Sequence, residues 1–151
     1  MKLEHLFTFT AAIGQNVPIG AGPYGNRAIA AVTGGTFEGP GLRGTILPPG
    51  ADWVLVDGNG RGRIDVRLIF RTDDGANLYV TYTGVLELNE AIASALAGSG
   101  ETQFGDNYFV TQLRIETGAP KYAHLNYAVA IGEGRMLPSQ VQYRVFRCVP
   151  G

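Results

Sequence analysis

A single cysteine, Cys148, leaves no internal disulfide to form and no thiolate cluster to hold zinc. A reducing compartment suits such a chain, so the expected location is cytoplasmic. Histidine is nearly as scarce: His5 and His124 lie far apart and fit neither an HExxH nor a Cys/His spacing, so no metal site is expected. An excess of one charge is missing too, since 12 Lys and Arg face 13 Asp and Glu for a net charge of -1. Without a basic field, and without aromatics interleaved among Lys and Arg, neither nucleic acid nor an anionic membrane surface is an expected partner. No apolar run approaches the roughly 18 residues of a membrane span, and Met1 to Ala12 lacks the basic start and continuous apolar stretch of a signal peptide.

Motifs that bind cofactors or build hydrolases are also lacking. The glycines at Gly34-Gly35 and from Gly39 to Gly44 have neither the strand-to-helix setting nor the Lys-Ser/Thr ending of a phosphate cradle, and read as tight turns. There is no GxSxG elbow and no dinucleotide fingerprint, so no cofactor is expected.

What the chain has is turn punctuation. Its 22 glycines and 8 prolines are spread evenly over 151 residues, a length that suits one domain over 1–151. Between these breaks apolar residues alternate as in half-buried strands, at 3–10, 27–37, 42–47, 53–56, 62–71, 77–86, 108–117, 123–132 and 141–149. One stretch differs: Asn89 to Ala97 is rich in Ala, Leu and Glu, opens on a potential N-cap and ends at Gly98, which predicts a short helix. The firmest hairpin joins two alternating runs from Arg63 to Val85 through Thr72-Asp73-Asp74-Gly75. Gaps of hairpin length exclude parallel crossovers. An antiparallel barrel or sandwich remains, all-β with one short helix, and a small closed antiparallel β-barrel is the expected form because closure removes exposed edges.

Period two divides the strand at 63–71 into an oily face (Ile64, Val66, Leu68, Phe70) and an ionic one (Arg63, Asp65, Arg67, Ile69, Arg71). Its partner sets Leu78, Val80 and Tyr82 against Asn77, Tyr79, Thr81 and Thr83, and the strand at 108–117 separates Gln112, Arg114 and Glu116 from Leu113 and Ile115. Two arrangements follow. Either the oily faces fill the barrel and the polar faces meet water, or Asp65, Arg67, Tyr79 and Arg114 line an interior polar cavity.

A family resemblance bears on that choice. The runs Gly34-Gly35-Thr36-Phe37-Glu38-Gly39-Pro40, Leu47-Pro48-Pro49-Gly50-Ala51-Asp52-Trp53, Ile64-Asp65-Val66-Arg67 and Arg71-Thr72-Asp73-Asp74-Gly75-Ala76 closely resemble the bacterial and fungal family called domain of unknown function 3237. Tyr108-Phe109, Glu116-Thr117-Gly118 and Tyr122-Ala123-His124-Leu125-Asn126 extend the likeness over nearly the whole chain. The resemblance implies a compact barrel, similar in outline to allene oxide cyclase and the calycins, with a central cavity. Two departures fall on its pocket walls: Val110 stands where a basic residue is expected, and His124 where a Trp is expected.

Candidate site residues follow from residue chemistry. Asp52 beside Trp53 re-enters the barrel after Pro48-Pro49-Gly50, where an aromatic wall raises a carboxyl pKa toward neutrality; the alternative is a turn cap and an end plug. Asp65 and Arg67, two apart on one face, either form a plain ion pair or orient a carbonyl or phenol, and Arg114 offers a planar fork for an anion. Tyr79, Tyr108, Tyr122 and Asn126 supply hydroxyl and amide contacts, whereas Glu38, Asp73 and Asp74 read as turn residues. The expected function is a small-molecule-binding barrel doing cofactor-independent acid/base chemistry on an oxygenated aromatic or cyclic compound, as an isomerase, cyclase, hydratase or carbon–oxygen lyase. Asp52 and Asp65 are the expected catalytic carboxylates, with Trp53, Arg67, Tyr79, Tyr108, Arg114, Tyr122 and Asn126 binding substrate. The alternative is a barrel that carries a small molecule unchanged, and a homodimer is compatible with either.

Overall fold

The β-branched and aromatic alternation of the chain folds into long antiparallel strands that close on themselves. A computed structural model describes residues 1–151. Its strands are β1 (Lys2–Gly22), β2 (Gly25–Gly39), β3 (Leu42–Asp52), β4 (Leu55–Val56), β5 (Arg61–Thr72), β6 (Asn77–Glu87), β7 (Phe109–Glu116), β8 (Ala130–Leu137) and β9 (Gln140–Val149). One α-helix, α1 (Glu90–Leu96), follows β6, and a 3-10 helix (Pro120–Tyr127) precedes β8. Neighbours run β1-β9-β8-β7-β6-β5-β3-β2, and β2 pairs back to β1, so the ring is closed. The short β4 continues the line of β3 between β2 and β5.

Turn chemistry sets the hairpins. At the β5–β6 turn Gly75 takes φ +89, and the register then holds without a slip from Arg71↔Asn77 to Arg61↔Glu87. In β3 the register slips between Leu47 and Ala51. Pro48 and Pro49 lie there, with no N–H to give the ladder. The predicted helix forms as expected: the Asn89 side chain accepts from the Ile92 N–H at 2.9 Å, and Ile92 and Ala95 are buried over one end of the barrel.

The oily faces point inward. Phe7, Phe9, Phe37 and Phe70 form an aromatic cluster with Tyr82 and Tyr143 at the barrel's centre, where the Phe9 and Tyr143 rings stack at 5.1 Å. Ile64, Val66, Leu68 and Phe70 of β5 are all buried, whereas Asp65, Arg67 and Arg71 are exposed. The interior cavity lined by Asp65, Arg67, Tyr79 and Arg114 is therefore not formed, and side chains occupy the centre. The cost of desolvating four polar groups decides it, because the oily alternative gains about 1.5–3 kcal/mol for each large side chain buried.

Three further expectations are corrected. The strand foreseen at 123–132 is instead the 3-10 helix and a connection, with β8 starting only at Ala130. Pro120 at the first helical turn favours that helix. The first strand runs far past residue 10, its alternation broken by irregularities at Ala12/Ile13, Ile13/Asn16 and Pro18/Gly20. His124 accordingly lies exposed on the 3-10 helix rather than in a strand.

Candidate functional site

The outward face of β5, β6 and β7 presents its side chains in rows fixed by register. Asp65, Thr83 and Gln112 form one row, Arg67, Thr81 and Arg114 the next, and Ile69, Tyr79 and Glu116 the third. Gln112 donates to the Thr83 hydroxyl at 3.0 Å, which settles the first row. The ladder between β7 and β8 spans only Val110↔Glu133 to Leu113↔Ala130. Past it the strands separate, and segment 126–130 stands beside the outer face. Between them lies a cleft of about 1160 Å³, lined among others by Asp65, Arg67, Tyr79, Arg114, Asn126 and Tyr127.

Of the predicted residues, Asp65, Arg67, Tyr79, Arg114 and Asn126 are thus brought together, but on the outside of the wall. Arg67 and Arg114 pair with the same residue, Thr81, from opposite sides, so their Cα atoms are roughly 10 Å apart. The ion pairs of the chain are Arg43–Asp73, Arg63–Asp57, Lys121–Asp74 and Arg144–Glu133, so neither of these guanidiniums is neutralised by a partner. The ion pair between Asp65 and Arg67 is not made. Arg67 lies instead over the face of Trp53, 5.5 Å from the ring centroid. Trp53 consequently holds an arginine and does not line the cleft.

Asn126 plays a different part from the ligand contact expected of it. Its side chain accepts from the Thr117 N–H at 2.8 Å and donates to the Thr117 carbonyl at 3.0 Å. The amide thereby replaces a missing strand partner and fixes the far wall. Tyr79 is 43% exposed, and its hydroxyl has no partner within the chain, so it is free for a ligand. Tyr127, Val129, Thr81 and Glu116 also line the cleft and were not singled out beforehand. Period two already put Thr81 and Glu116 on the polar face, whereas Tyr127 and Val129 were hidden in the misassigned strand.

Besides Trp53, the candidates Tyr108, Tyr122 and Asp52 lie elsewhere. Tyr108 is exposed just before β7 and does not line the cleft. Tyr122 is buried, and its hydroxyl donates to Asp74 Oδ1 at 2.9 Å. Asp74, read as a turn residue, also takes hydrogen bonds from Lys121 at 2.7 Å and from Thr72 at 2.5 Å. Those donors hold its carboxyl well below the usual carboxylate range.

Asp52 faces the barrel interior. Burial pushes its pKa up to about 7, opposed by the hydrogen bond it accepts from the Asp65 N–H at 3.1 Å. The charge of Asp65 adds to the rise and Arg27 opposes it. Burial likewise raises the phenols of Tyr82 and Tyr143, with the charge of Asp52 contributing to each. The expected elevation of Asp52 is present, but its cause is burial in the barrel rather than the ring of Trp53, and its carboxyl is outside the cleft lining.

Comparison with known proteins places this geometry in a family. A UPF0311 protein of Rhodopseudomonas palustris is 33% identical over 132 residues, covering 87% of this chain and 86% of its own. A β-barrel-like protein of Acinetobacter baumannii superposes with TM-score 0.82 at 35% identity, over 97% of this chain and 94% of that one. A conserved protein of Rhodopseudomonas palustris gives TM-score 0.88 at 30% identity, over 98% and 97%. Two fungal proteins are more distant: PR-toxin biosynthesis cluster protein 7 of Penicillium roqueforti, 26% identical over 155 residues covering 90% of this chain and 83% of its own, and an enzyme from Penicillium herquei, TM-score 0.69 at 22% identity, over 97% and 92%. Residues 1–148 match the model of the family described as protein of unknown function DUF3237, and with these relatives the chain belongs to that family.

Proposed function

We propose that the chain binds a small oxygenated aromatic or cyclic compound in the outer cleft and transforms it by acid/base chemistry, without a cofactor. The observation that carries this reading is the meeting of a carboxylate, two unneutralised guanidiniums and a free phenol around one space large enough for such a ligand. In this mechanism Asp65 takes a proton from a hydroxyl or from a carbon beside a carbonyl. The electron pair left behind settles on oxygen, where Arg67 and Arg114 stabilise it. Tyr79 delivers a proton at the other end of the rearranged molecule, and Asp65 returns the one it took to the Tyr79 oxygen through water. The balance is that of an isomerase or cyclase.

Asp52 enters as a positioning residue. Its carboxyl grips the Asp65 N–H from the inner side of the wall and fixes the backbone from which Asp65 projects. Support for an enzyme comes also from the two Penicillium relatives, one belonging to a toxin-biosynthesis cluster and one being an enzyme.

The test is product analysis over a panel of phenols, quinones and hydroxy-ketones. Wild-type protein should convert at least one compound, Asp65→Asn should lose that conversion by about 100-fold or more, and Asp52→Asn should keep most of it. Conversion untouched by Asp65→Asn overturns the assignment. Binding without conversion across the panel favours a carrier.

A further inference from the structure

The reading just given leaves the charge of the ligand open, and the layout of the cleft narrows it. Arg67 and Arg114 occupy the middle row on either side of Thr81. Both guanidiniums are solvent-facing and lack an acidic partner, although Asp65 and Glu116 share the cleft. The two carboxylates take opposite corners: Asp65 beside Arg67 in the row toward Gln112, and Glu116 beside Arg114 in the row of Tyr79.

A ligand anion seated over Thr81 meets positive charge from both sides, and its own body then extends toward a carboxylate at either corner. A guanidinium presents several N–H groups in a planar fork that matches the two oxygens of a carboxylate. A corner carboxylate accepts hydrogen bonds only, so it selects a ligand that carries a donor hydroxyl. Tyr79 and the 87% exposed Tyr127 offer ring faces along the same space.

Resting on the acid/base reading above, we propose that the cleft is specific for hydroxy-substituted aromatic carboxylates, the carboxylate held between Arg67 and Arg114 over Thr81 and the hydroxyl directed to Asp65. Trp53 is the positioning residue of this arrangement, since its ring carries the Arg67 guanidinium on one face, 5.5 Å from the centroid, and limits its swing.

Calorimetric titration with 4-hydroxybenzoate, 4-hydroxybenzamide and benzoate tests it on the intact chain. 4-Hydroxybenzoate should bind at least about tenfold more tightly than the neutral amide, with the preference shrinking at high salt. Arg114→Gln and Arg67→Gln, each on an exposed face, should melt like wild type and abolish the preference, and Arg114→Lys should restore part of it. Asp65→Asn should weaken 4-hydroxybenzoate and leave benzoate unchanged. Equal affinity for the acid and the amide overturns the proposal, as does a preference that survives both arginine substitutions. These outcomes are separate from the catalytic test: binding as stated with no conversion defeats the acid/base reading alone, whereas conversion of neutral compounds with no acid preference defeats the charge assignment alone.

Discussion

Asp52 is half-buried within the barrel with its pKa raised from 3.8 to about 7, and the cause is desolvation of its charged form. The folded state therefore holds this proton more tightly than the unfolded chain does. The stability the group contributes is complete below pH 3.8 and is lost as the pH rises to about 7. At 1.36 kcal/mol per pKa unit the loss is at most about 4 kcal/mol, and smaller because the group is partly solvated. Asparagine keeps an oxygen for the Asp65 N–H and carries no charge to desolvate. Asp52→Asn should thus gain on wild type progressively between pH 4 and 7 and hold a constant advantage above it, read from urea midpoints at a series of pH values. A difference between the two proteins that is flat with pH sinks the assignment. Thr111 makes a second residue-scale case: its Oγ1 is buried with no partner, and the side chain is flanked in register by Gly84 and Gly132. Valine has the same shape without the unpaired hydroxyl, so Thr111→Val should stabilise by about 1 kcal/mol in the same titration. A loss of that size instead would mean that the hydroxyl holds something inside the barrel.

At the scale of elements, the β5–β6 hairpin and the 3-10 helix are tied together at Asp74, whose carboxyl receives Thr72 from its own turn and Lys121 and Tyr122 from the helix. Its pKa is depressed in the fold by those donors, so this contribution is present above the normal carboxylate range and is lost as the pH falls. Acid should release the 3-10 helix before the barrel, seen as early amide exchange at Leu125, and Asp74→Asn should show that exchange already at neutral pH. Simultaneous exchange of Leu125 and Val80 at every pH would contradict it. The hairpin half of this joint was legible in the sequence, because Thr72-Asp73-Asp74-Gly75 supplies turn hydrogen bonds and a positive φ within a few residues. The helix half was not. Residues 123–132 alternate well enough to imitate a strand, and the anchor of Tyr122 lies 48 positions away at Asp74. The same limit hid the extent of β1, whose irregularities break the period on which strand reading depends.

For the whole molecule, local pattern divided Asp65, Arg67, Tyr79 and Arg114 from their oily neighbours, yet the choice of face was made by closure. A closed ring has one inside, and burying the Phe7, Phe9, Phe37 and Phe70 cluster there leaves the ionic face to the outer wall. The charged groups of the site and the aromatic cluster therefore take opposite faces of one sheet, with buried Tyr82, Leu113, Ile115 and Ala130 bordering the cleft, and their responses should be separable. Phe9 meets the rings of Phe7, Phe70, Tyr82 and Tyr143 at 5.1–6.0 Å, the densest aromatic contact of the core. Phe9→Ala should cost about 3–5 kcal/mol by opening a cavity among them. Ligand affinity at the outer cleft should stay within about twofold of wild type, once measured where the variant is fully folded, because Phe9 meets the cleft lining through the Tyr82 ring, at 5.9 Å, and not through Asp65, Arg67, Tyr79 or Arg114. Binding that falls in proportion to stability, or that is enhanced by the new cavity, would place the ligand inside the barrel and return the function to Asp52, Tyr82 and Tyr143.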